Sequence, residues 1–247
     1  NNTMASGQSS HAEGIETFSN GLGSHSEGWQ TTADGDYSHA EGENTSTTGR
    51  GSHAEGTFTE SDGEYSHAEG SHTEAIGDHS HTEGYGTLTK YNAIGAHAEG
   101  YYTIAEGIYS HTEGNQTTAS GDYAHSEGGR TKALGQYAHS EGEGTVASAQ
   151  AAHSEGIFTT ASAQGSHTEG LQTYAFGEYS HAEGKFTSAS SPAAHSEGSG
   201  SLASGSASHA EGYLTTASGV YSHAEGESNI AKAKGSHVEG KDNTIAF

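Results

Sequence analysis

Cysteine is absent from this chain of 247 residues, and proline occurs only once. Without cysteine there is no disulfide framework, no cysteine-based zinc finger and no thiolate nucleophile. Leu, Ile, Val and Phe together number only 23, which is too few for a conventional hydrophobic core. This composition, with a formal net charge of −24, would ordinarily indicate a disordered chain. The lack of cysteine fits an extracellular, cell-surface or virion protein.

Basic residues are also scarce, since 8 Lys and Arg stand against 32 Asp and Glu. Proteins bind phosphate backbones through Lys and Arg, so nucleic acid is not an expected partner. No apolar run approaches the roughly 18 residues of a membrane-spanning helix. We therefore expect no membrane insertion by this segment.

A repeat overrides the expectation of disorder. The pattern Ser/Ala-His-small-Glu-Gly occurs 17 times, and its histidines are 14 residues apart except for a step of 16 from His81 to His97. Positions in each repeat are counted here from the motif histidine, as position 0. Glu stands at position 2, Gly at 3, Thr usually at 6, a small residue at 8 and commonly Gly at 10, as in 111–121. Low-complexity disorder does not hold such a register over so long a chain.

The repeat predicts the fold class. Two short segments, each closed by Gly, indicate two strands and two tight turns. Fourteen residues are too few for a helical repeat unit and suit one coil of a β-solenoid. We predict an all-β fold, a parallel β-roll of about 17 coils, in which residues 1–247 form a single repetitive domain. The two extra residues between His81 and His97 are expected to bulge outward as a loop.

The two strands of a coil tolerate variation differently. Side chains alternate across a strand, so His and Glu share one face while their small neighbours share the other. In the first strand, both the His-Glu positions and the small-residue positions allow few residue types. In the second half of the repeat, positions 5 and 7 vary freely, as at Phe58 and Lys132. A solenoid has one interior, so a strand restricted on both faces needs a second buried surface. Another copy of the chain is the economical source, and we infer a homo-oligomer.

These motifs resemble a known family. Ser-His-Ala-Glu-Gly followed by Thr-x-Ala-Ser-Gly-x-Tyr, over about 4–241, resembles the YadA-like head repeats of trimeric autotransporter adhesins and similar phage tail-fibre and appendage repeats. The family pattern is Ser-Val-Ala-Ile-Gly, so His replaces Val and Glu replaces Ile in this chain. The resemblance implies a left-handed β-roll, a homotrimeric rod and a role in surface attachment. Bacterial and phage origins both stay open.

The His-Glu pairs admit three interpretations. A general base with an orienting carboxylate is disfavoured, because 17 even copies are unlike a singular active site. No enzyme activity and no catalytic residue are therefore expected. Imidazole and carboxylate also suit zinc and related ions, so an ordered metal in one or more layers is a second interpretation.

The favoured interpretation is a buried polar ladder without metal or other cofactor. Protonation of all 17 motif histidines would bring the formal charge from −24 to −7 and relieve self-repulsion. The ladder lies either in the roll interior or at the three-fold axis, and the axis is favoured. Its predicted members are His11, Glu13, His25, Glu27, His39, Glu41, His53, Glu55, His67, Glu69, His81, Glu83, His97, Glu99, His111, Glu113, His125, Glu127, His139, Glu141, His153, Glu155, His167, Glu169, His181, Glu183, His195, Glu197, His209, Glu211, His223, Glu225, His237 and Glu239.

Other aromatic and histidine positions lie outside the pairs. Tyr is frequent at position −2, as at Tyr65 and Tyr109, where its hydroxyl could join the His-Glu network or its ring could stack at the turn. His72 and His79 fall outside the motif and are expected at the surface. Aromatic residues next to the motif glycine are expected at the edge of the roll, where they could stack on sugar rings: Trp29, Phe58, Tyr85, Tyr101, Tyr102, Phe158, Phe186 and Tyr213.

The favoured function is a non-enzymatic, trimeric adhesin or receptor-binding fibre segment that recognises a host-surface glycan or protein. The first alternative is a structural spacer, or shaft, whose binding or enzymatic domain lies outside these residues. A second is a phage fibre that carries a separate catalytic domain. An ice-binding solenoid is disfavoured, because the recurrent Thr at position 6 behaves as a buried residue.

Overall fold

The computed structural model describes residues 2–246, in which every regular element is a β-strand. The chain divides into two compact units, Asn1–Glu127 and Gly128–Phe247. Within each unit, strands of successive coils pair in parallel, usually 14 residues apart, as for His39 with His53 and His209 with His223, and 16 apart for His81 with His97. Each unit is thus a β-solenoid, and the chain has about 17 coils. The predicted all-β solenoid is confirmed, while its left hand and three-chain assembly stay predictions.

The first strand of each coil begins at the motif histidine. Within a unit, equivalent residues lie side by side, as His67, Glu69 and Gly70 do with their counterparts in the next coil. The first strands are His11–Ile15, His25–Trp29, His39–Glu43, His53–Thr57, His67–Ser71, His81–Tyr85, His97–Tyr101, His111–Asn115, His125–Gly129, His139–Glu143, His153–Ile157, His167–Thr168, His181–Ala182, His195–Ser196, His209–Tyr213, His223–Glu227 and His237–Val238.

The second strand covers only positions 7 and 8, so it is shorter than the segment of about five residues that the sequence suggests. Among residues 2–246, no helix is long and apolar enough to cross a membrane. The second strands are Met4–Ala5, Phe18–Ser19, Thr32–Ala33, Ser46–Thr47, Glu60–Ser61, Glu74–Ala75, Leu88–Thr89, Ile104–Ala105, Thr118–Ala119, Lys132–Ala133, Val146–Ala147, Thr160–Ala161, Tyr174–Ala175, Ser188–Ala189, Leu202–Ala203, Thr216–Ala217, Ile230–Ala231 and Thr244–Ile245.

The interior of each coil consists of small side chains. In one coil these are Ser52, directly before the first strand, and Ala54 within it, together with Thr59, directly before the second strand, and Ser61 within it; all four are buried. The buried residues at positions −1, 1, 6 and 8 therefore come from both strands and from the residue before each strand, and they enclose a narrow core made mostly of Ser, Ala and Thr. This core accounts for the scarcity of large apolar residues, and it confirms that the Thr at position 6 is buried.

Two left-handed backbone residues turn each coil. They lie at positions 5 and −2, as at Phe58 and Tyr65, which both have φ of 55°. Beside the second turn, the Ser52 hydroxyl donates a hydrogen bond to the Gly49 carbonyl at 2.7 Å, and many coils repeat this contact. Because the backbone turns at position −2, the alternation of strand faces stops there. Tyr65 is consequently exposed, and its ring stacks on His79 with centroids 5.4 Å apart. Of the two interpretations of the position −2 tyrosines, this geometry favours ring stacking at the turn over a hydroxyl in the His-Glu network.

The 16-residue coil accommodates its extra residues in the turn after the second strand. Ala93 occupies the place of the usual position-10 glycine, since a Cβ on Gly77 would lie 2.3 Å from the Ala93 carbonyl oxygen. The two additional residues are therefore Tyr91 and Asn92, and Tyr91 is 79% exposed. Lys90 forms an ion pair with Glu106 at the base of this loop. The predicted outward bulge is confirmed.

Candidate functional site: the histidine and glutamate ladders

The motif histidines and glutamates lie on the outer face of the first strands. In each coil the residue between them points inward, as Ala98 does between His97 and Glu99 with none of its surface exposed. His97 and Glu99 themselves are half-buried and point the other way. We call the outward His and Glu side chains of one unit its ladder face. Of the two orientations left open by the sequence, this geometry excludes the interior.

The histidine rings of a ladder face stack on one another. From His25 to His125, successive ring centroids are 4.7–4.9 Å apart and the planes lie within 12° of parallel. From His139 to His237 the separations are 4.6–4.9 Å and the angles at most 10°. The parallel β-register sets this spacing, because each strand places its ring one strand-to-strand distance from the next.

Stacking covers the ring faces but not their outer edges. The side chain of His97 is 35% exposed, against 64% for His11 and 55% for His237 at the ends of the repeat array. Neighbouring rings therefore remove much of the exposure, and about a third remains along the whole ladder face. The full burial predicted for these residues requires another surface, and it stays a prediction.

Burial and mutual repulsion lower the pKa of several ladder histidines, including His67, His97 and His153. Desolvation lowers the pKa of His97 below its usual 6.5, and the adjacent His81 and His111 lower it further, while Glu99 and Glu83 act in the opposite direction. The same causes lower the pKa of His67 and His153. The hypothesis that protonated histidines reduce the charge to −7 is therefore wrong for these residues at neutral pH. The sequence does not reveal that the rings stack, which is why it misjudges their charge.

The His53 ring approaches a carboxylate without a good hydrogen bond to it. Nε2 of His53 lies 3.6 Å from Oε2 of Glu55, beyond the length of a good hydrogen bond. In His53 and His97 this Nε2 is inaccessible to solvent and has no hydrogen-bond partner among the described residues. A buried polar atom left without a partner costs about 1–3 kcal/mol. The ladder face of one chain is thus incompletely satisfied.

The second interpretation, a metal site, has candidate ligand sets. His53, Glu55 and His67 are one of several groups whose ligand atoms lie within 4.8 Å of one another. Two nitrogens bound to one zinc at 2.0–2.1 Å can be at most about 4.2 Å apart and must converge on it. Near-parallel rings 4.7 Å apart, such as His53 and His67, direct equivalent nitrogens the same way. The stacked arrangement therefore favours a ring ladder over chelation by neighbouring coils of one chain.

Residues outside the motif lie where they were expected. His72 and His79 are exposed, and His72 exchanges a 2.9 Å hydrogen bond with Ser71. The edge aromatics are exposed as well, including Trp29, Phe158 and Tyr213. A cleft of about 290 Å³, which the repeat pattern does not reveal, lies beside this edge between His72 and Tyr102. Its sequence signal is Gly86, which stands at position 5, where the coils before and after carry His72 and Tyr102.

No protein-family model and no curated protein matches this chain. The resemblance to YadA-like head repeats accordingly stays a prediction that depends on the repeat pattern, and no family is assigned.

Proposed function

We propose that this chain is a segment of a non-enzymatic, homotrimeric surface fibre that acts as an adhesin or receptor-binding protein outside the cell or on a virion. The observation that carries the proposal is the ladder face. It repeats the same two side chains in every coil, leaves about a third of each inner histidine exposed and contains Nε2 atoms without partners. A second and a third copy of the same face would supply matching spacing and cover those edges.

The geometry also accounts for the absence of a large core. Apart from Asn229 and Val238, the interior buries only Ser, Ala and Thr side chains, so each coil removes little apolar surface from water. Association through the ladder faces adds burial that a single chain lacks. Closed symmetric assemblies of identical subunits are the usual form of soluble oligomers. Three copies would then present the variable second-strand face outward three times, which raises avidity without requiring a strong single site.

The assembly is tested by native mass from light scattering at pH 7.5. We expect three times the chain mass of 25.2 kDa. His111→Asp places a carboxylate beside Glu113 on the ladder face and should shift the protein towards monomer on dilution, because like charges then face one another. Thr118→Asp, in the same coil but on the second strand, is the matched control and should leave the mass unchanged. A folded wild-type monomer would refute the assembly.

Attachment is tested separately with the assembled protein. It should bind one or more glycans or matrix proteins on an array. If a correctly folded trimer binds none of them, the structural spacer becomes the better interpretation, because the ladder faces would then serve only to hold a shaft together.

A further inference from the structure

A cleft of about 290 Å³ in the first unit combines aromatic walls, an apolar floor and one carboxylate. This volume lies near the lower end of the roughly 300–1,000 Å³ typical of small-molecule sites. It suits one ring-sized group better than an extended peptide. We call it the aromatic cleft. Its walls include His72, Tyr85 and Tyr102, and its floor includes Glu74, Leu88 and Ile104.

The floor of the aromatic cleft comes from three neighbouring second strands. Glu74 pairs with Leu88, and Leu88 pairs with Ile104, so the three position-7 side chains lie side by side on the outer face of the second sheet. This row offers a patch of apolar surface with a carboxylate at one end. The parallel pairing fixes the row, so the floor is preformed.

A missing side chain opens the cleft. Gly86 stands at position 5 between coils that carry His72 and Tyr102 there. The Tyr102 ring leans over this gap, and a Cβ at residue 86 would lie 2.6 Å from it. The backbone does not require glycine at this position, since Asn44 has φ of 53° and Phe58 has 55° at the equivalent place. Any side chain at residue 86 would therefore occupy the cleft or displace the Tyr102 ring.

The aromatic walls support one another. Tyr85 stacks on Tyr101 with centroids 5.3 Å apart, and it meets Tyr102 edge to face at 5.4 Å. His72 lies 5.4 Å from Tyr85 on the other side. Tyr85 and Tyr102 are 39% and 47% exposed, so ring surface stays open to a ligand although the rings are positioned by their neighbours. Such preorganisation reduces the entropy lost on binding.

Charge selects among ligands. Glu74 is the only acid in the cleft lining, and no Lys or Arg lines it. Glu60, on the preceding strand, pairs with Glu74. Burial raises the pKa of Glu60, and the negative charges of Asp62 and Glu74 raise it further. Anionic groups are therefore repelled. A pyranose ring has an apolar face of C–H groups that suits the electron-rich face of tyrosine, and its hydroxyls can donate hydrogen bonds to the Glu74 carboxylate.

We propose that the aromatic cleft binds a single neutral or amino-bearing sugar residue of a surface glycan. This inference rests on the proposed attachment function and names its ligand class. Anionic sugars, such as uronic or sialic acids, should not bind, because they would meet Glu74 and its acidic neighbours without a compensating cation.

The test uses the full chain with defined probes: immobilised glucoside, galactoside, mannoside, N-acetylglucosaminide and glucosaminide, compared with glucuronide, sialoside and choline. We expect binding to one or more of the neutral or amino sugars and not to the anionic ones. Gly86→Asn should reduce that binding at least tenfold. Gly144→Asn is the matched control, because Gly144 has the same position, φ of 64° and a ring, that of Phe158, 2.6 Å from its would-be Cβ.

The outcomes separate this inference from the proposed function. Binding that survives in a folded Gly86→Asn variant overturns the aromatic cleft as the site, and so does a preference for choline or for anionic sugars. If no neutral or amino sugar binds, the inference is wrong. The attachment function still stands in that case if the trimer adheres to a matrix protein, and it fails if the trimer adheres to nothing.

Discussion

The two sheets of a coil share one backbone path but differ in what they present to the outside. The first sheet repeats His and Glu in every coil, stacked at a constant spacing. The second sheet changes from coil to coil, with Glu74, Leu88 and Ile104 side by side in one place. A face that never varies suits contact with an identical face, whereas a varying face suits recognition of something else. The comparison therefore separates assembly from binding within a single repeat.

The largest expected effect comes from the close approach of first strands at position 3. Gly128 has φ of 101°, and a Cβ there would lie 2.2 Å from the Gly142 carbonyl oxygen. Gly128→Ala must combine backbone strain with overpacking, so we expect the free energy of unfolding to fall by on the order of 3 kcal/mol. The neighbouring Gly129 has no heavy atom within 4 Å of its would-be Cβ. Gly129→Ala should change stability by about 0.5 kcal/mol or less.

Urea unfolding at one pH measures this difference. Equal midpoints for Gly128→Ala and Gly129→Ala would show that the first sheet tolerates side chains where neighbouring coils touch, and the contrast between the sheets would then lose its structural basis.

Acid should weaken the first sheet selectively. A histidine with a folded-state pKa below its unfolded value of 6.5, such as His97 or His153, binds its proton more readily in the unfolded chain. Stability is then full above pH 6.5 and falls as the pH drops through 6.5 towards the lowered folded-state pKa. The groups facing His97 are His81, His111, Glu83 and Glu99, and the histidines outweigh the carboxylates.

We therefore expect a lower thermal midpoint at pH 5.0 than at pH 7.5. His79→Gln is the control, because this exposed histidine lies outside the ladder face and its removal should leave the pH dependence as it is. A midpoint that rises on acidification would instead mean that the histidines gain from protonation beside their glutamates.

The repeat predicted more of the fold than of the site. A strand containing each motif histidine, the small interior residues and the variable outer positions 5 and 7 all follow from spacing and alternation. Alternation failed at Tyr65, where φ of 55° turns the chain and removes the ring from the plane of the histidines. It also could not reveal ring stacking, on which the histidine pKa depends. The aromatic cleft was not predicted because it results from the missing side chain at Gly86. A missing side chain in one coil indicates a cleft only once the residues of the two neighbouring coils are known to lie beside it.

The interior, where the two sheets meet, should show a smaller effect. Thr173 and Thr187 are both buried at position 6. The Thr187 hydroxyl donates a 3.0 Å hydrogen bond to the Glu183 carbonyl, whereas the Thr173 hydroxyl has no partner among the described residues. Thr187→Val should lower the free energy of unfolding by about 1 kcal/mol. Thr173→Val should be neutral or stabilising, because this substitution removes a buried hydroxyl that has no hydrogen-bond partner. Urea midpoints that fall equally for both would show that the two hydroxyls are equivalent in solution.

The smallest effect on stability is expected at the loop of the 16-residue coil, which projects from the turn after the second strand. Deleting Tyr91 and Asn92 restores a 14-residue coil, leaves Lys90 joined to Ala93 and keeps the pairing between Lys90 and Glu106. Because loop length contributes little to stability, the free energy of unfolding should change by less than about 1 kcal/mol. Deleting Ile108 and Tyr109 instead shortens a regular coil to 12 residues and removes the left-handed residue at Tyr109, with φ of 53°. The thermal midpoint should fall sharply for that deletion alone. Comparable losses for both would mean that the longer coil is a required part of the second sheet, and that the variable side is less tolerant than its sequence suggests.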